Sequence, residues 1–334
     1  MKIYVAYTGG TIGMVPSDHG YVPDAAFADV VLQKLTQYST EHEFSVHCYP
    51  ELIDSSNAAP SDWVAIANDL QSKWQEYDGF MVLHGTDTMA YTSSALAFML
   101  QNPSKPVVVT GSQIPMFKSR NDALDNVYGA LDALLEGPNG VFLFFAGKLI
   151  EGARAHKANT SVLQAFSSPN ALLRGELGIE WNWRKIHTKK GEQIQIPHMQ
   201  NDAVTLVPIF PGLQAAQIES LLFPQGKEGV VKGAVLLTYG AGNGPDANPE
   251  FLALLKKASD SGCVIVNVSQ CGAGAVSAGT YAAGSALVQA GVISGLDMTY
   301  EAAFAKLHFL IATNVKPEAI RETFTQPLAY EVSK

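Results

Sequence analysis

The chain has 334 residues, 47% of them apolar and 16% charged, an ordinary globular composition and enough length for two cores. Its formal charge of −9 argues against nucleic acid or an anionic membrane as partner, since neither attracts an acidic surface, and leaves small molecules as the expectation. Cys48, Cys263 and Cys271 form no CxxC pair and read as reduced, buried thiols of a cytoplasmic protein; Met1-Lys2 leads into a short strand rather than a signal peptide, and no apolar run approaches the ~20 residues of a membrane span.

The first expected strand, Ile3 to Tyr7, ends in Thr8-Gly9-Gly10-Thr11-Ile12-Gly13. Such a glycine-bracketed turn lets a hydroxyl and backbone N–H groups approach a substrate closely, although a threonine there serves equally to cap the next helix. The turn matches neither GxGxxG nor GxxxxGK, which disfavours phosphate binding. Tyr21 follows in the Gly- and Pro-containing stretch Ser17 to Pro23, which reads equally as a loop of the kind that closes over sites and as a surface loop whose tyrosine has no role. After a second strand, Phe44 to Cys48, the cluster Asp54-Ser55-Ser56-Asn57 offers short polar groups suited either to gripping a carboxylate and an amine or to capping a turn. Pro60-Ser61 then opens a stretch that places Trp63, Ile66, Ala67, Leu70 and Trp74 on one face of an amphipathic helix.

The apolar run Phe80 to Leu83 runs directly into His84-Gly85-Thr86-Asp87-Thr88, which sets hydroxyls and a carboxylate at the carboxyl end of a buried strand. Open α/β sheets bind ligands at that end. Further strands are expected at Val107 to Thr110 and Val141 to Ala146, with a helix between them carrying Leu124, Val127, Leu131, Leu134 and Leu135. Strands that are apolar throughout and separated by helices predict a doubly wound, mainly parallel α/β sheet covered on both faces. Lys157, in the polar stretch Gly152 to Thr160, is a candidate base for the two threonine turns. A lysine acts so only where burial or a cationic neighbour lowers its pKa; otherwise it is a solvated surface residue.

Periodicity lapses between Ile186 and Ala203, which places a linker at 186–203 between a larger amino-terminal α/β domain at 1–185, holding the main catalytic candidates, and a smaller α/β domain at 204–334. In the latter, strands are expected at Val204 to Phe210, Ala234 to Tyr239 and Val264 to Val268. Helices are expected near Asn248 to Ala258, Gly279 to Ala290, Tyr300 to Ile311 and Pro317 to Phe324, with Asn248-Pro249 as cap and first position. Gly240-Ala241-Gly242-Asn243-Gly244 imitates a dinucleotide loop without its full glycine spacing, and the eight histidines show no HxH or HxxxH pattern, so neither a cofactor nor a metal is expected.

The stretches Tyr7 to Met14, Leu83 to Thr92, Val109 to Pro115 and the surroundings of Lys157 together resemble the bacterial L-asparaginases, in particular the cytosolic type I branch, and the resemblance runs through nearly the whole chain. It implies hydrolysis of L-asparagine to L-aspartate and ammonia through an acyl-enzyme. Thr11 matches the nucleophile, Tyr21 the loop tyrosine that assists it, and Thr86, Asp87 and Lys157 the second triad. Asp87 also matches the group that binds the α-ammonium, and Ser55 and Ser56 the contacts to the α-carboxylate and α-amine. The resemblance further implies a homodimer or a homotetramer built of intimate dimers, with Asn243 reaching a neighbour's site. The chain departs from the type I pattern at Asn57-Ala58, in place of Asp-Met, at Ala123 and Gly129, and around Met116-Phe117-Lys118 and Cys271 to Ala278. Broader amidases, glutamine as substrate, and a non-hydrolysing amino-acid or nucleotide-binding module are the competing readings; one methylene separates the two amides, typically ~1 to 3 kcal/mol in a pocket.

Overall fold

The computed structural model describes residues 1–18, 20–24, 26–184, 191–226, 229–277 and 282–333. They form two compact units, Met1–Ile196 and Pro197–Lys334.

The first unit begins with strand β1 (Lys2–Gly9), the hairpin β2 (Met14–Ser17) and β3 (Gly20–Pro23), and helix α1 (Phe27–Tyr38). Next come β4 (Glu43–Ile53), α2 (Pro60–Ser72), β5 (Gly79–Leu83), α3 (Met89–Met99), β6 (Leu100–Gln101), β7 (Pro106–Thr110), α4 (Ala123–Glu136) and β8 (Gly140–Phe145). An eight-stranded sheet has β8, β7, β5, β1 and β4 as parallel neighbours. Its far edge is antiparallel, made by β9 (Lys148–Glu151), β12 (Gly175–Leu177) and β13 (Trp181–Trp183). Between these lie the small ribbon of β10 (His156–Lys157) and β11 (Phe166–Ser167).

Both faces of β1, β5, β7 and β8 are buried, as crossover helices on either side require, while β4 at the edge is partly exposed. Val5, Tyr7, Met81, Leu83, Val108 and Phe144 pack against Val31 and Leu35 of α1 and Val127, Leu131 and Leu134 of α4, while Ala6, Phe80, Val82, Val107 and Val109 are buried on the opposite face. Each large side chain so buried contributes about 1.5 to 3 kcal/mol of transfer free energy. Helix α4 approaches the sheet so closely that a Cβ on Gly129 would stand 2.2 Å from the ring of Phe144.

The first unit extends into the sequence-expected linker, as far as Ile196. Residues 186–190 lie outside the described set, but β14 (Gln193–Ile194) pairs with β6, and Glu192 accepts hydrogen bonds from Ser104 and Trp74. Tyr21, expected in an irregular loop, lies in the β2–β3 hairpin opposite Pro16; the neighbouring His19 is outside the described residues.

The second unit is a parallel four-stranded sheet of β15 (Val204–Pro208), β16 (Gly233–Thr238), β17 (Val264–Ser269) and β18 (Val292–Ser294) in that order. Its helices are α5 (Ala215–Leu222), α6 (Pro249–Asp260), α7 (Ala282–Gln289), α8 (Tyr300–Ala312) and α9 (Pro317–Thr323). Asn248 caps α6 by accepting from the Phe251 N–H at 3.1 Å, with Pro249 at the first position. The start expected for α7, Gly279, is outside the described residues. The cysteines correct one expectation: only Cys263 is buried, Cys48 is half-buried on the edge strand β4, and Cys271 is exposed because the chain has left β17 at Ser269 and turns at the surface. Among the described residues no helix is long and apolar enough to cross a membrane.

Candidate active site

Register decides which turns meet. Tyr7 is paired with Leu83, and Leu83 with Thr110, so β1, β5 and β7 end level with one another; on the other side Gly9 is paired with Ile53 of β4. The segments that follow are those of Thr11, of Thr86 and Asp87, of Gln113, and of Ser55 and Ser56. Four polar turns therefore share the carboxyl end of the sheet, where open α/β folds bind ligands.

Two of them touch through backbone that tolerates no side chain. Gly10 has φ of +91°, and a Cβ there would stand 2.4 Å from Cα of Gly85. A Cβ on Gly85 would in turn meet Ser55 Oγ at 2.3 Å. The Thr11 turn, the Gly85-Thr86 loop and buried Ser55 are thus stacked in van der Waals contact. Thr88 Oγ1 donates to Ser55 O at 2.8 Å, and Asp54 accepts from Ser56 N at 3.0 Å, fixing that turn from both ends.

His84 sets the base of the Thr86 loop. It is fully buried, bonded through Nδ1 to Gly85 O at 2.8 Å and through Nε2 to Thr92 Oγ1 at 3.1 Å. Burial pushes its pKa down, so the ring is neutral, with Nδ1–H donating and Nε2 accepting.

At the centre of the site, Lys157 Nζ donates to Thr86 Oγ1 at 2.9 Å and to Asp87 Oδ1 at 2.6 Å. Thr86 is buried and its hydroxyl donates onward to Gln113 Oε1 at 3.3 Å. Lys157 is held on the β10–β11 ribbon opposite Phe166, and its side chain is 17% exposed. Of the sequence candidates, Thr86, Asp87 and Lys157 are therefore in direct contact, with Ser55 against their loop and Thr11 on the adjoining turn.

Tyr21 stands differently. Its ring packs on Phe117 at 5.8 Å with Lys118 Nζ 5.3 Å from its centre. Asn243 belongs to the second unit, where its N–H donates to Tyr239 O at 2.9 Å and its carbonyl accepts from Tyr239 N. Among the described residues no group of three or more His, Cys, Asp or Glu is arranged to hold a metal ion.

Sequence reading assigned no role to Gln113, yet it is the junction of the site. Besides Thr86, its Nε2 reaches Thr160 O and Val162 O, just beyond Lys157, both at 3.4 Å. Its backbone N–H and that of Ile114 donate to Asp122, and Met116 N donates to Ile12 O, next to Thr11. No local signal identifies such a residue, because its partners come from three distant segments.

Residues 2–188 match the family described as "Asparaginase, N-terminal", and residues 203–324 the one described as "Glutaminase/Asparaginase C-terminal domain". The chain is 43% identical to L-asparaginase 1 of Escherichia coli (strain K12), covering 99% of this chain and 98% of that protein. A crystal structure of L-asparaginase I from Vibrio cholerae superposes with a TM-score of 0.88 at 42% identity, covering 100% of this chain and 99% of the other. The thermostable L-asparaginase from Thermococcus kodakarensis superposes with a TM-score of 0.91 at 30% identity over the whole of both chains.

Proposed function

The chain belongs to the asparaginase family, whose members are amidohydrolases, and from that premise we propose that it hydrolyses L-asparagine to L-aspartate and ammonia through a threonine acyl-enzyme. The observation that carries the reading is Lys157 Nζ bonded at once to Thr86 Oγ1 and Asp87 Oδ1, beside the turn that bears Thr11.

Thr11 Oγ1 attacks the side-chain amide carbon as its proton passes to a base, and charge gathers on the carbonyl oxygen. Backbone N–H groups of the Thr86 loop stabilise that oxyanion, an effect of about 3 kcal/mol per donor. The amide nitrogen takes up a proton and departs as ammonia, leaving an ester on Thr11. Water oriented by Thr86 and Lys157 then adds to the ester carbon, and a proton of that water passes to Thr11 Oγ1 as the adduct collapses, which restores the Thr11 hydroxyl and frees aspartate. Asp87, 60% exposed at the side chain, is the counter-ion for the substrate's α-ammonium. Ser55 and Ser56 hold the α-carboxylate and α-amine, Tyr21 assists Thr11 once it leaves Phe117, and Asn243 contributes to the site of a neighbouring subunit in a homodimer or a tetramer of intimate dimers. The scheme needs no cofactor or metal, and its compartment is the cytoplasm, in keeping with three free cysteines. The main catalytic residues belong to the amino-terminal domain, 1–185, and not to the carboxyl-terminal one, 204–334.

Ammonia release from L-asparagine and L-glutamine, each at about 0.1 and 10 mM to bracket common KM values, tests this beside Thr11→Val. Release that prefers asparagine and is lost in folded Thr11→Val is expected. Normal turnover in that variant overturns the nucleophile; a preference for glutamine changes the substrate; silence of the folded protein toward both overturns the amidohydrolase.

A further inference from the structure

The Gly240-Ala241-Gly242-Asn243-Gly244 loop after β16 carries three glycines in five residues, a composition that leaves the backbone free unless contacts restrain it. It is instead held at several points. Its ends close on themselves, with Asn243 N donating to Tyr239 O at 2.9 Å, Tyr239 N donating to Asn243 O at 3.0 Å, and Gly242 N donating to Tyr239 O at 3.0 Å. From β17, Asn267 Nδ2 donates to Gly242 O at 3.0 Å and Ser269 Oγ to Gly240 O at 2.6 Å. From the chain beyond, Ser277 N donates to Ala241 O at 3.1 Å.

Asn267 is the unusual member of this set. It is 5% exposed in the middle of an otherwise apolar strand, Val264-Ile265-Val266-Asn267-Val268, where a carboxamide costs free energy unless its polar atoms are satisfied. Here they are: the buried Thr238 hydroxyl donates to Asn267 Oδ1, which orients the amide so that Nδ2 points at Gly242 O. Gly242 adopts φ of +107°, and a Cβ on it would lie 3.1 Å from Asn267 Nδ2 and 2.7 Å from Val276. The cavity lined by Gly242, Asn267 and Val276 is only about 10 Å³, the limit for a single water, so the underside of the loop has no slack to move into. An apolar residue at 267 would pack as well in this sheet and would leave Gly242 O without its donor.

We infer that Asn267, oriented by Thr238 and seconded by Ser269, is a positioning residue for Asn243, locking the loop so that the Asn243 side chain is presented in one orientation to the substrate site. This rests on Asn243 having the substrate-site role proposed above. Asn267 touches no substrate and acts only through the loop.

A double-mutant cycle on kcat/KM for L-asparagine, with kcat and KM resolved and unfolding followed in parallel, tests it. Asn267→Ala is expected to lower kcat/KM about 10- to 100-fold, the scale of a misplaced contact, with Asn243→Ala similar and the double variant no worse than Asn243→Ala alone. The loss of stability from Asn267→Ala, by contrast, is the same in both backgrounds. Ser269→Ala removes one tether and leaves the core intact, so it repeats the cycle at smaller amplitude should Asn267→Ala not fold. An equal activity loss in both backgrounds, or none, shows that Asn267 serves stability alone and overturns the inference. If Asn243→Ala itself retains wild-type kcat/KM, the substrate-site role of Asn243 falls, and the inference falls with it, by a different and recognisable result.

Discussion

Lys157→Met separates catalysis from stability more sharply than any other single substitution in the site. The lysine is bonded to Thr86 Oγ1 and Asp87 Oδ1, so the exchange removes the cation that touches the Thr86 hydroxyl, while methionine refills most of the stem volume. The stability term is small. The Asp87 side chain is 60% exposed, and an ion pair with one solvated partner contributes about 0 to 1 kcal/mol after solvent screening. In a unit of this size that is a melting-temperature change of at most roughly 4 °C. The catalytic term is large: a positioned proton-transfer group is worth about 10²- to 10⁴-fold, or about 3 to 5 kcal/mol of barrier. Ammonia release measured against a thermal melt reads both. Turnover within threefold of wild type in a folded variant refutes the assignment of Lys157 to the proton-transfer group. A melting temperature lowered by 10 °C or more refutes the reasoning differently, by showing that the pair is structural.

Two further outcomes concern the second unit. Lys306 and Glu331 form a fully buried pair in which Lys306 Nζ also donates to Phe324 O and Gln326 O, and Glu331 accepts from the N–H groups of Leu328 and Ala329. Lys306→Met or Glu331→Gln alone is expected to cost about 3 to 5 kcal/mol in urea unfolding, because each strands a buried partner, while the double variant costs clearly less than the sum; strict additivity refutes the coupling. His308, 1% exposed, has its pKa pushed down to about 4 by burial, so the folded state holds it neutral where the unfolded chain takes up a proton. Stability should therefore fall as the pH drops from about 6.5 to 4, by roughly 3 kcal/mol from this group with His84 adding in the same direction, and His308→Gln should flatten the profile; parallel profiles for wild type and variant refute it.

What the sequence makes legible is what local chemistry encodes. Ile3 to Tyr7, Phe80 to Leu83 and Val107 to Thr110 are apolar on both faces, so their strands and the parallel sheet follow from composition alone, and the turns after them carry the polar groups. Helix α3 is hidden for the opposite reason: Met89 and Ala90 and every residue from Thr92 to Met99 are buried, so no stripe of helical period distinguishes one face. The antiparallel edge is equally silent, since Gly175–Leu177 and Trp181–Trp183 are too short to show a period.

The site divides along the same line. Thr11, Thr86 and Asp87 sit beside glycines in turns at strand ends and can be suspected from their neighbours in sequence. Lys157 can be suspected only as a lysine in a polar stretch, because its contact with Thr86 spans 71 residues and depends on a two-residue ribbon. Gln113 is more remote still, as it joins Thr86 to Thr160 and Val162 through contacts that exist only once three turns are level. The levelling itself is set by the pairing of Tyr7 with Leu83 and of Leu83 with Thr110. Moving one of these strands by one residue would turn its buried side chains to the opposite face and carry its turn out of line with the others. The apolar residues that fix the sheet register thus also fix how the Thr11, Thr86 and Gln113 turns stand to one another, which makes the core of the first unit part of the proposed catalytic geometry rather than a passive support for it.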